Sequence, residues 1–570
     1  MRIIFIAIAC TAQVLGMLLP TPHQRLPWQT TVRSSLHRIV PSQPHQRQRR
    51  RRRRPQLFAR NNDDDDEMDW REMRARLIAQ EKADQSSTTD TPASSSASGT
   101  DDTSSSSSYV YETPLIEQGT ILLGGTKMDF GFALRQQFFH KSVMLLLQHD
   151  DTFTKGIILN RPSALEVDGW RAWCGHGQVA EGGLFVGEER KMGELEINAL
   201  HSLTSDEAAK VSTRVIKGVS YTSLDDAKAL VSAGLAEKDD FWVCVGYSGW
   251  APGQLQNEVE QRDSLYLASA DSGTLLTELL REAKDLPPPG DGAVAVDPGI
   301  GTWSNLMKVI GRGEDVVKSL NTFEDRMLEQ WVRVHLVPKP KPQTPATPPS
   351  EVKVGTVLST TVSPQTGLPA DRFLIHDQYL HKAILLVIDD ASAPNGKLSA
   401  VILNRATSRT FQFNLPGSPQ RLIPFTGMIA IGTDLWLHYK PAGLEGIKMG
   451  DSGISLISTP EVAEAIQTGT GTAKDFLLVR GVVQFGRPEL AGMLAGGEMR
   501  CIPPGTELSD LWPRVWSLTD NGGDGSTVSD GTGLWWLASQ CGGQPTASLS
   551  SDLADEALAK WLKFFAGVES

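Results

Sequence analysis

The segment whose residue types come nearest to a catalytic motif is Gly246-Tyr247-Ser248-Gly249-Trp250. A nucleophile elbow places its serine in the pattern G-x-S-x-G, with one glycine two residues before the serine and another two residues after it. The residue two positions after Ser248 is Trp250, and no histidine or acid stands out as a partner for the serine. We therefore expect no serine-hydrolase chemistry. We interpret the glycines as a tight exit from a buried strand, with the two aromatic rings capping it.

A second candidate is Asn160-Arg161-Pro162, which follows an apolar string where a strand is expected to leave the core. An arginine at such a place can bind the phosphate or carboxylate of a ligand. More often, arginine pairs with a carboxylate of its own chain while asparagine bonds the turn. On the ligand interpretation, the candidate binding residues are Asn160, Arg161, Tyr247, Trp250, Gln254 and Glu258.

Histidine and cysteine residues offer no further site. His140 and His381 each precede an apolar string, and we interpret both as strand-entry imidazoles with hydrogen-bond partners rather than catalytic groups. Cys174-Gly175-His176 has the spacing of half a metal site, but no second pair of ligands accompanies it. The sequence thus predicts no catalytic residue, no metal site and no cofactor, and we lean towards a protein that is not an enzyme.

Short strings recur in the same order in two parts of the chain, at separations of 230 to 244 residues. The pairs are Gly119-Thr120 with Gly355-Thr356, His140-Lys141 with His381-Lys382, Ile158 to Arg161 with Ile402 to Arg405, Asp240-Phe241 with Asp475-Phe476, and Trp331 with Trp561. Order and spacing of this kind indicate an internal repeat. We expect one domain at 117–337, a stiff Pro-rich linker at 338–351, and a second, diverged copy at 352–566.

Each copy mixes strands and helices. Val143 to Leu147 reads as a central strand that returns through a hairpin as Lys155 to Leu159. Serines at 223 and 458 are expected to cap helices, and terminal helices are expected at 315–333 and 552–565. Because strands and helices do not alternate regularly, the α+β class is favoured over a doubly wound sheet.

The first 60 residues have the composition of a targeting leader, with 12 arginines and no aspartate or glutamate. The apolar run from Ile3 to Leu19 is typical of a signal peptide, and the Arg-rich segment behind it is typical of a transit peptide. We expect a plastid location, with the mitochondrion as the alternative. Secretion, or a nuclear signal built on the run Arg49 to Arg54, also stays open.

Removing this leader leaves 43 basic against 67 acidic residues, a net charge of −24. A surface so acidic repels the phosphate backbone, so nucleic acid is not expected as a partner. Residues 61–116 are acidic and Ser-rich, and we expect them to be disordered apart from a short helix at 68–82. No transmembrane helix is expected in the mature chain.

These strings resemble the AlgH-like (YqgE/AlgH) family of bacteria and plastids. In the first copy the matching strings are Gly119 to Leu123, His140 to Leu147, Gly156 to Pro162, and Gly246 to Leu255 with Glu258, of which the last is the most specific. The second copy has Gly481 to Leu490 in its place. The resemblance implies a bifurcated sheet folded into a pseudo-barrel with flanking helices. It implies little chemistry, because the family label of transcriptional regulator rests on no demonstrated site.

Three functional hypotheses follow. The first is a non-catalytic binding or regulatory module for a protein partner or small ligand, with the two copies forming an intramolecular pseudo-dimer. The alternative is a small-ligand-binding protein or enzyme with a pocket near Arg161, Tyr247 and Gln254. A transcriptional regulator is a third hypothesis, by family label only.

Overall fold

The structure is a computed structural model that describes residues 70–86, 108–126, 136–181, 196–262, 265–284, 296–337, 352–362, 371–390, 396–414, 418–439, 444, 446–520, 529–541 and 552–567. The leader expected at 1–60 and the linker expected at 338–351 lie outside these ranges. The described residues fall into two units, which divide between Leu77 and Ile78. Helix α1, Trp70–Ser86, overlaps the helix expected at 68–82, and its Trp70 and Leu77 side chains are 68% and 55% exposed.

The first half of the larger unit, residues 108–337, contains two six-stranded sheets. Its strands are β1 Val110–Glu112, β2 Ile121–Gly124, β3 Val143–His149, β4 Thr154–Ile158, β5 Pro162–Val167, β6 Trp170–Cys174, β7 Ile197–His201, β8 Thr213–Ile216, β9 Val219–Ser223, β10 Phe241–Val245, β11 Ser248–Trp250 and β12 Leu265–Ala270. The sheets have the orders β1-β12-β2-β3-β4-β11 and β5-β6-β10-β7-β9-β8. Among these pairings only β6 with β10 is parallel.

Helices cover these sheets. They are α2 Gly177–Glu181, α3 Asp206–Val211, α4 Leu224–Ser232, α5 Gln254–Arg262, α6 Ser272–Lys284, α7 Ile300–Val309, α8 Gly313–Lys318 and α9 Phe323–His335. Single 3-10 turns at Gln137–Phe139 and Lys238–Asp240 lead into β3 and β10. As expected, Ser223 caps α4 by accepting a hydrogen bond from the Asp226 N–H.

The second half, residues 352–567, has one eight-stranded sheet and a separate two-stranded ribbon. Its strands are β13 Val357–Thr360, β14 Ile384–Asp390, β15 Lys397–Ile402, β16 Ala406–Phe411, β17 Arg421–Pro424, β18 Ile429–His438, β19 Ile447–Lys448, β20 Ser455–Ser458, β21 Leu477–Gly486 and β22 Met499–Ile502. The sheet order is β19-β20-β18-β21-β15-β14-β13-β22, and β16 pairs with β17.

Its helices are α10 Asp371–Ile375, α11 Thr459–Thr468, α12 Arg487–Ala495, α13 Thr506–Ser517, α14 Thr532–Gln540 and α15 Asp552–Trp561, followed by a π-helical turn at Leu562–Ala566. The 3-10 turns Gln378–Leu380 and Ala473–Asp475 precede β14 and β21. Helices therefore accompany largely antiparallel sheets in both halves, which confirms the α+β class. Within the described ranges, no helix combines the length and the apolar character that a membrane span requires.

The neighbour order of most strands is the same in the two halves. The order β12-β2-β3-β4-β11 in the first half matches β22-β13-β14-β15-β21 in the second, and β10-β7-β9-β8 matches β21-β18-β20-β19. One difference is that β21 runs through ten residues and joins its sheet into one, whereas the first half interrupts the equivalent strand between β10 and β11.

The central strand β3 faces two apolar cores. Met144 and Leu146 belong to one buried cluster, while Val143, Leu145 and Leu147 belong to another. Alternate side chains of a strand point to opposite faces, so the continuous apolar run reflects a sheet that is covered on both sides.

Two boundaries differ from those expected. Strand β1 lies in the segment expected to be disordered, where Val110 pairs with Ala270 and the Tyr111 side chain is buried. The continuous helix expected at 315–333 is two helices, α8 and α9, because Asn321 adopts a φ of 53° and Thr322 starts a new helix. Thr322 and Asp325 form a reciprocal capping box there.

One apolar core extends across both halves. The cluster that contains Trp331 and Met327 of α9 also contains Phe373 of α10 and both Leu558 and Trp561 of α15. At its edge, Arg326 forms an ion pair with Glu556, and the His335 ring lies 5.6 Å from the ring of His376. The terminal helices of the two halves therefore bury apolar surface against each other.

Candidate functional site

The segment from Gly246 to Glu258 follows β10 and leads through β11 into α5. Gly246 adopts a φ of 80°, and a Cβ added there would lie 2.6 Å from the Val179 side chain. The chain turns at this glycine, after which Ser248 to Trp250 pair with Gly156 to Thr154 of β4. The tight strand exit expected from the glycines is thus present at Gly246.

Trp250, Gln254 and Glu258 form one hydrogen-bonded group. The Trp250 indole donates to one oxygen of the Glu258 carboxylate at 3.1 Å, and the Gln254 amide donates to the other oxygen at 3.1 Å. The Gln254 carbonyl oxygen accepts the Ala251 N–H at 3.2 Å. The carboxylate therefore ties the first turns of α5 to the buried Trp250 ring.

A cavity of about 270 Å³ lies beside this group. It is lined by Ile116, His149, Asp150, Asp151, Thr154, Ala251, Pro252, Gly253, Leu255 and Gln256. The Thr152 hydroxyl, the Gln148 amide and two backbone N–H groups donate to Asp150, and these bonds hold the pKa of its carboxyl below the ordinary range. The rim of the cavity therefore carries a fixed negative charge at neutral pH.

Tyr247 lies in a different environment. Its ring contacts the Phe153 ring edge-on at 6.3 Å and lies 5.1 Å from the Lys155 ammonium. Burial, and then the nearby Glu196 carboxylate, raise the pKa of its hydroxyl. None of the six candidate residues, Gln254 included, lines the cavity. Arg161, Tyr247 and Gln254, expected to share one pocket, thus have three different surroundings.

Asn160 and Arg161 are fully buried and bind backbone groups. The Asn160 side chain accepts the Val143 N–H at 2.8 Å and donates to the carbonyls of Lys141 and Gly299 at 2.9 and 2.7 Å. Arg161 donates to the carbonyls of Pro298 and Asn160, each at 2.7 Å, and to that of His140. These two side chains join the start and end of the β3–β4 hairpin to the loop before α7.

The second half repeats this arrangement. Asn404 accepts the Ile384 N–H at 2.9 Å and donates to the carbonyls of Lys382 and Gly531. Arg405 donates to the carbonyls of Asp530, Asn404 and His381. Burial lowers the pKa of the Arg405 guanidinium to about 10. Because the second half lacks the Gly246 to Glu258 string, these contacts do not depend on that string.

His140 and Lys141 both bind the carboxylate of Asp325. His140 Nε2 lies 2.8 Å from Asp325 Oδ1, and the buried Lys141 ammonium donates to Asp325 Oδ2 at 2.9 Å. In the second half, His381 and Lys382 bind Asp555 at 2.7 and 2.9 Å. The imidazoles thus have the partners expected of structural strand-entry residues.

Burial lowers the pKa of His140 and of His381 despite the carboxylate that each one faces. The neighbouring lysine and arginine cations act in the same direction as burial. Both imidazoles are therefore neutral in the folded protein at pH 7.

Sequence reasoning did not identify Asp325, Asp555, Gly299 or Gly531. The capping-box spacing of Thr322 to Asp325 was a usable signal for the first of these. Within the described ranges, no three His, Cys, Asp or Glu side chains gather in a way that could hold a metal ion. The Ser248 hydroxyl is buried and makes no hydrogen bond to any described residue.

A family model described as "DUF179: AlgH-like" matches residues 131–283, a range that contains all six candidate residues. A UPF0301 protein of Mycobacteroides abscessus is 31% identical over 165 residues, which cover 28% of this chain and 73% of that protein. A UPF0301 protein of Mycobacterium leprae is 28% identical over 161 residues, covering 28% of this chain and 76% of the relative.

Two solved structures also match, each at 16% sequence identity. The AlgH protein of Pseudomonas aeruginosa gives a TM-score of 0.23 and is covered over 97% of its chain, against 37% of this one. A Corynebacterium diphtheriae protein gives a TM-score of 0.24, with 94% and 35% covered. The identity and coverage of the Mycobacteroides relative, together with the family-model match, show that the chain belongs to the AlgH-like family.

Proposed function

We propose that the protein is a non-catalytic binding module whose first half carries the binding surface and whose second half is its structural partner. The observation that carries this proposal is the open cavity beside the Gly246 to Glu258 string, on a half whose terminal helix is packed against the other half. The exposed Asp150 and Asp151 carboxylates at the rim favour a partner that presents a basic group.

We also propose that the two halves are diverged copies of one domain, forming a dimer-like pair within one chain. The shared strand order, the paired Asn–Arg contacts and the paired His–Lys–Asp contacts support this. A packing arrangement between equivalent helices, α9 and α15, is what an isologous dimer interface would use.

Affinity capture with matched variants tests the binding surface. The double variant Asp151→Ala, Gln256→Ala changes two exposed residues at the cavity. The control Glu464→Ala, Gln467→Ala likewise removes one carboxylate and one amide, from exposed positions of α11. We expect the first pair to lose partners that the wild type and the control retain. Equal recovery of every partner by all three proteins would overturn the proposal.

A thermal-shift panel of nucleotides and phosphorylated metabolites separates this module from a small-ligand protein or enzyme. A ligand that binds only the folded state raises the unfolding midpoint, and the rise grows with the logarithm of ligand concentration above the Kd. A concentration-dependent shift that Asp151→Ala, Gln256→Ala leaves unchanged would favour a small-ligand site elsewhere on the molecule.

We propose a plastid location, on the composition of residues 1–60. A fusion of these residues to a fluorescent reporter should accumulate in the plastid. Accumulation in mitochondria would replace this proposal with the alternative.

A further inference from the structure

A buried ammonium group lies on the first half, on the opposite face of β4 from the cavity. Thr154 lines the cavity, and adjacent residues of a strand point to opposite faces, so Lys155 faces the other side. The Lys155 side chain is only 8% exposed. Its Nζ forms an ion pair with the Glu196 carboxylate and donates to Asn198 Oδ1 at 3.2 Å.

Two tyrosine rings flank this ammonium. The centroids of Tyr221 and Tyr247 lie 5.4 and 5.1 Å from Lys155 Nζ, within the range of a cation–π contact. Both rings are partly exposed, and the Glu196 side chain is 45% exposed. The Lys155 ammonium is therefore shielded from water by groups that themselves reach the surface.

The amide nitrogen of Asn198 is an unused donor group. Asn198 is 2% exposed, and its Nδ2 makes no hydrogen bond to any described residue. A buried N–H without an acceptor is costly, and natural proteins keep few of them. This donor belongs to the same amide whose oxygen binds Lys155, so it lies beside the ammonium.

The second half builds the same strands without this polar group. Strand register places Ser399 where Lys155 stands, since Ser399 pairs with Asp389 as Lys155 pairs with Gln148. By the same register Leu435 replaces Asn198, because each lies opposite the equivalent position of β21 or β10.

The two tyrosines are likewise replaced by apolar residues. Leu456 takes the place of Tyr221 in the strand that pairs with β18, and Val482 takes the place of Tyr247. The fold therefore does not require Lys155, Asn198 or the two rings.

We propose that Lys155 and Asn198 form a recognition site for the anionic group of a small ligand, a carboxylate or a phosphate. Two N–H donors side by side, one of them charged, suit an anion with two free oxygens. In the free protein the Glu196 carboxylate pairs with the Lys155 ammonium, and the ligand displaces it. The partly exposed tyrosine rings offer an apolar wall to the rest of the ligand.

Ligand-induced shifts of the thermal unfolding midpoint test this in the full chain. Inorganic phosphate and succinate, each compared with chloride at equal ionic strength, distinguish the two anion classes. We expect one of them to raise the midpoint in a concentration-dependent way. Glu196→Gln should bind that anion roughly threefold or more tightly, because the competing state is removed.

Two further variants remove the donors. Lys155→Met keeps the length of the stem and should abolish the shift, and Asn198→Leu, which installs the second half's residue, should weaken binding about tenfold. Lys353→Met, at an exposed lysine of the second half, is the matched control and should bind as the wild type does.

For each variant, the unfolding midpoint with the anion is compared with the midpoint of the same variant in chloride. This comparison separates anion binding from the effect of the substitution on stability. A shift that Lys155→Met leaves unchanged would place the anion elsewhere and overturn the proposal. The absence of a shift with either anion in both the wild type and Glu196→Gln would overturn it as well.

Discussion

Asn160 and Asn404 show how single residues shape both halves of this protein. Each side chain binds an N–H group at the start of a central strand, the carbonyl two residues before it, and one carbonyl from a distant loop. A buried side chain with three hydrogen bonds to the backbone has a structural role. The most similar strings of the two halves therefore reflect stability, while the residues that differ, such as Lys155, are the better candidates for function.

The glycines beside these asparagines should be intolerant of substitution. A Cβ at Gly299 or Gly531 would lie 2.0 or 1.7 Å from the Asn160 or Asn404 carbonyl oxygen, and both have positive φ values. We expect Gly299→Ala and Gly531→Ala each to lower the free energy of unfolding by about 3 kcal/mol or more.

Gly311→Ala is the control, because Gly311 has a φ of 89° and open space around its Cβ position. It should lose only about 1 kcal/mol from backbone strain. Urea unfolding measures the free energy of unfolding of all three variants. Equal losses would show that the close approach to the asparagine carbonyls does not affect stability.

The buried imidazoles should make stability depend on pH. The folded state keeps His140 and His381 neutral because their pKa values are lowered, whereas the unfolded chain takes up protons below about pH 6.5. Stability is therefore lost as pH falls from 7 towards 5. The pKa values of Asp325 and Asp555 are also lowered, so their contribution is lost only at more acidic pH.

The double variant His140→Gln, His381→Gln should lose less stability than the wild type between pH 7 and pH 5. Unfolding midpoints in urea at several pH values measure this slope. His149→Gln, at an exposed position, is the control and should keep the wild-type slope. If the double variant and the wild type lost the same stability between pH 7 and pH 5, the two imidazoles would not be the source of the pH dependence.

At the scale of elements, the break between α8 and α9 has a clear consequence. Because α9 starts at Phe323 with Thr322 as its cap, Asp325 occupies the third helical position and meets His140 and Lys141. A continuous helix would not hold this carboxylate by the same cap. The break thus links the end of the first half to the start of its central strand.

Thr322→Ala should therefore cost more than an ordinary cap removal. Ser205 caps α3 by accepting the Ala208 N–H, and it has no such link to a buried ion pair. We expect a loss of about 1 kcal/mol for Ser205→Ala and about 2 kcal/mol for Thr322→Ala. Chemical denaturation of both variants measures the difference, and equal losses would mean that the cap does not support Asp325.

At the scale of the whole molecule, the shared core predicts that damage in one half reaches the other. Trp331→Ala should lower the free energy of unfolding by about 3–5 kcal/mol and speed hydrogen exchange in β14 and β15 of the second half. Trp303→Ala removes the same side chain from a core confined to the first half. It should leave exchange in β14 and β15 near the wild-type rate, and a similar increase in both variants would contradict a core-specific coupling.

The sequence by itself determined much of the local structure. The apolar run at Val143 to Leu147, the hairpin after it and the serine that caps α4 depend on neighbouring residues, so pattern and capping chemistry were sufficient. The recurring strings also marked the positions that hold equivalent contacts in both halves. The short β1 was missed because three residues carry too little periodicity.

Only the tertiary structure decided which groups the candidate residues contact. Arg161 could have faced a ligand or the backbone, and the carbonyl of Pro298, 137 residues away, settles its contacts. Strand alternation places Lys155 on one face of β4, but whether that face is buried depends on β7 and β9, which follow 40 or more residues later. Periodicity specifies which residues share a face, whereas burial and partners depend on chain segments brought together by folding.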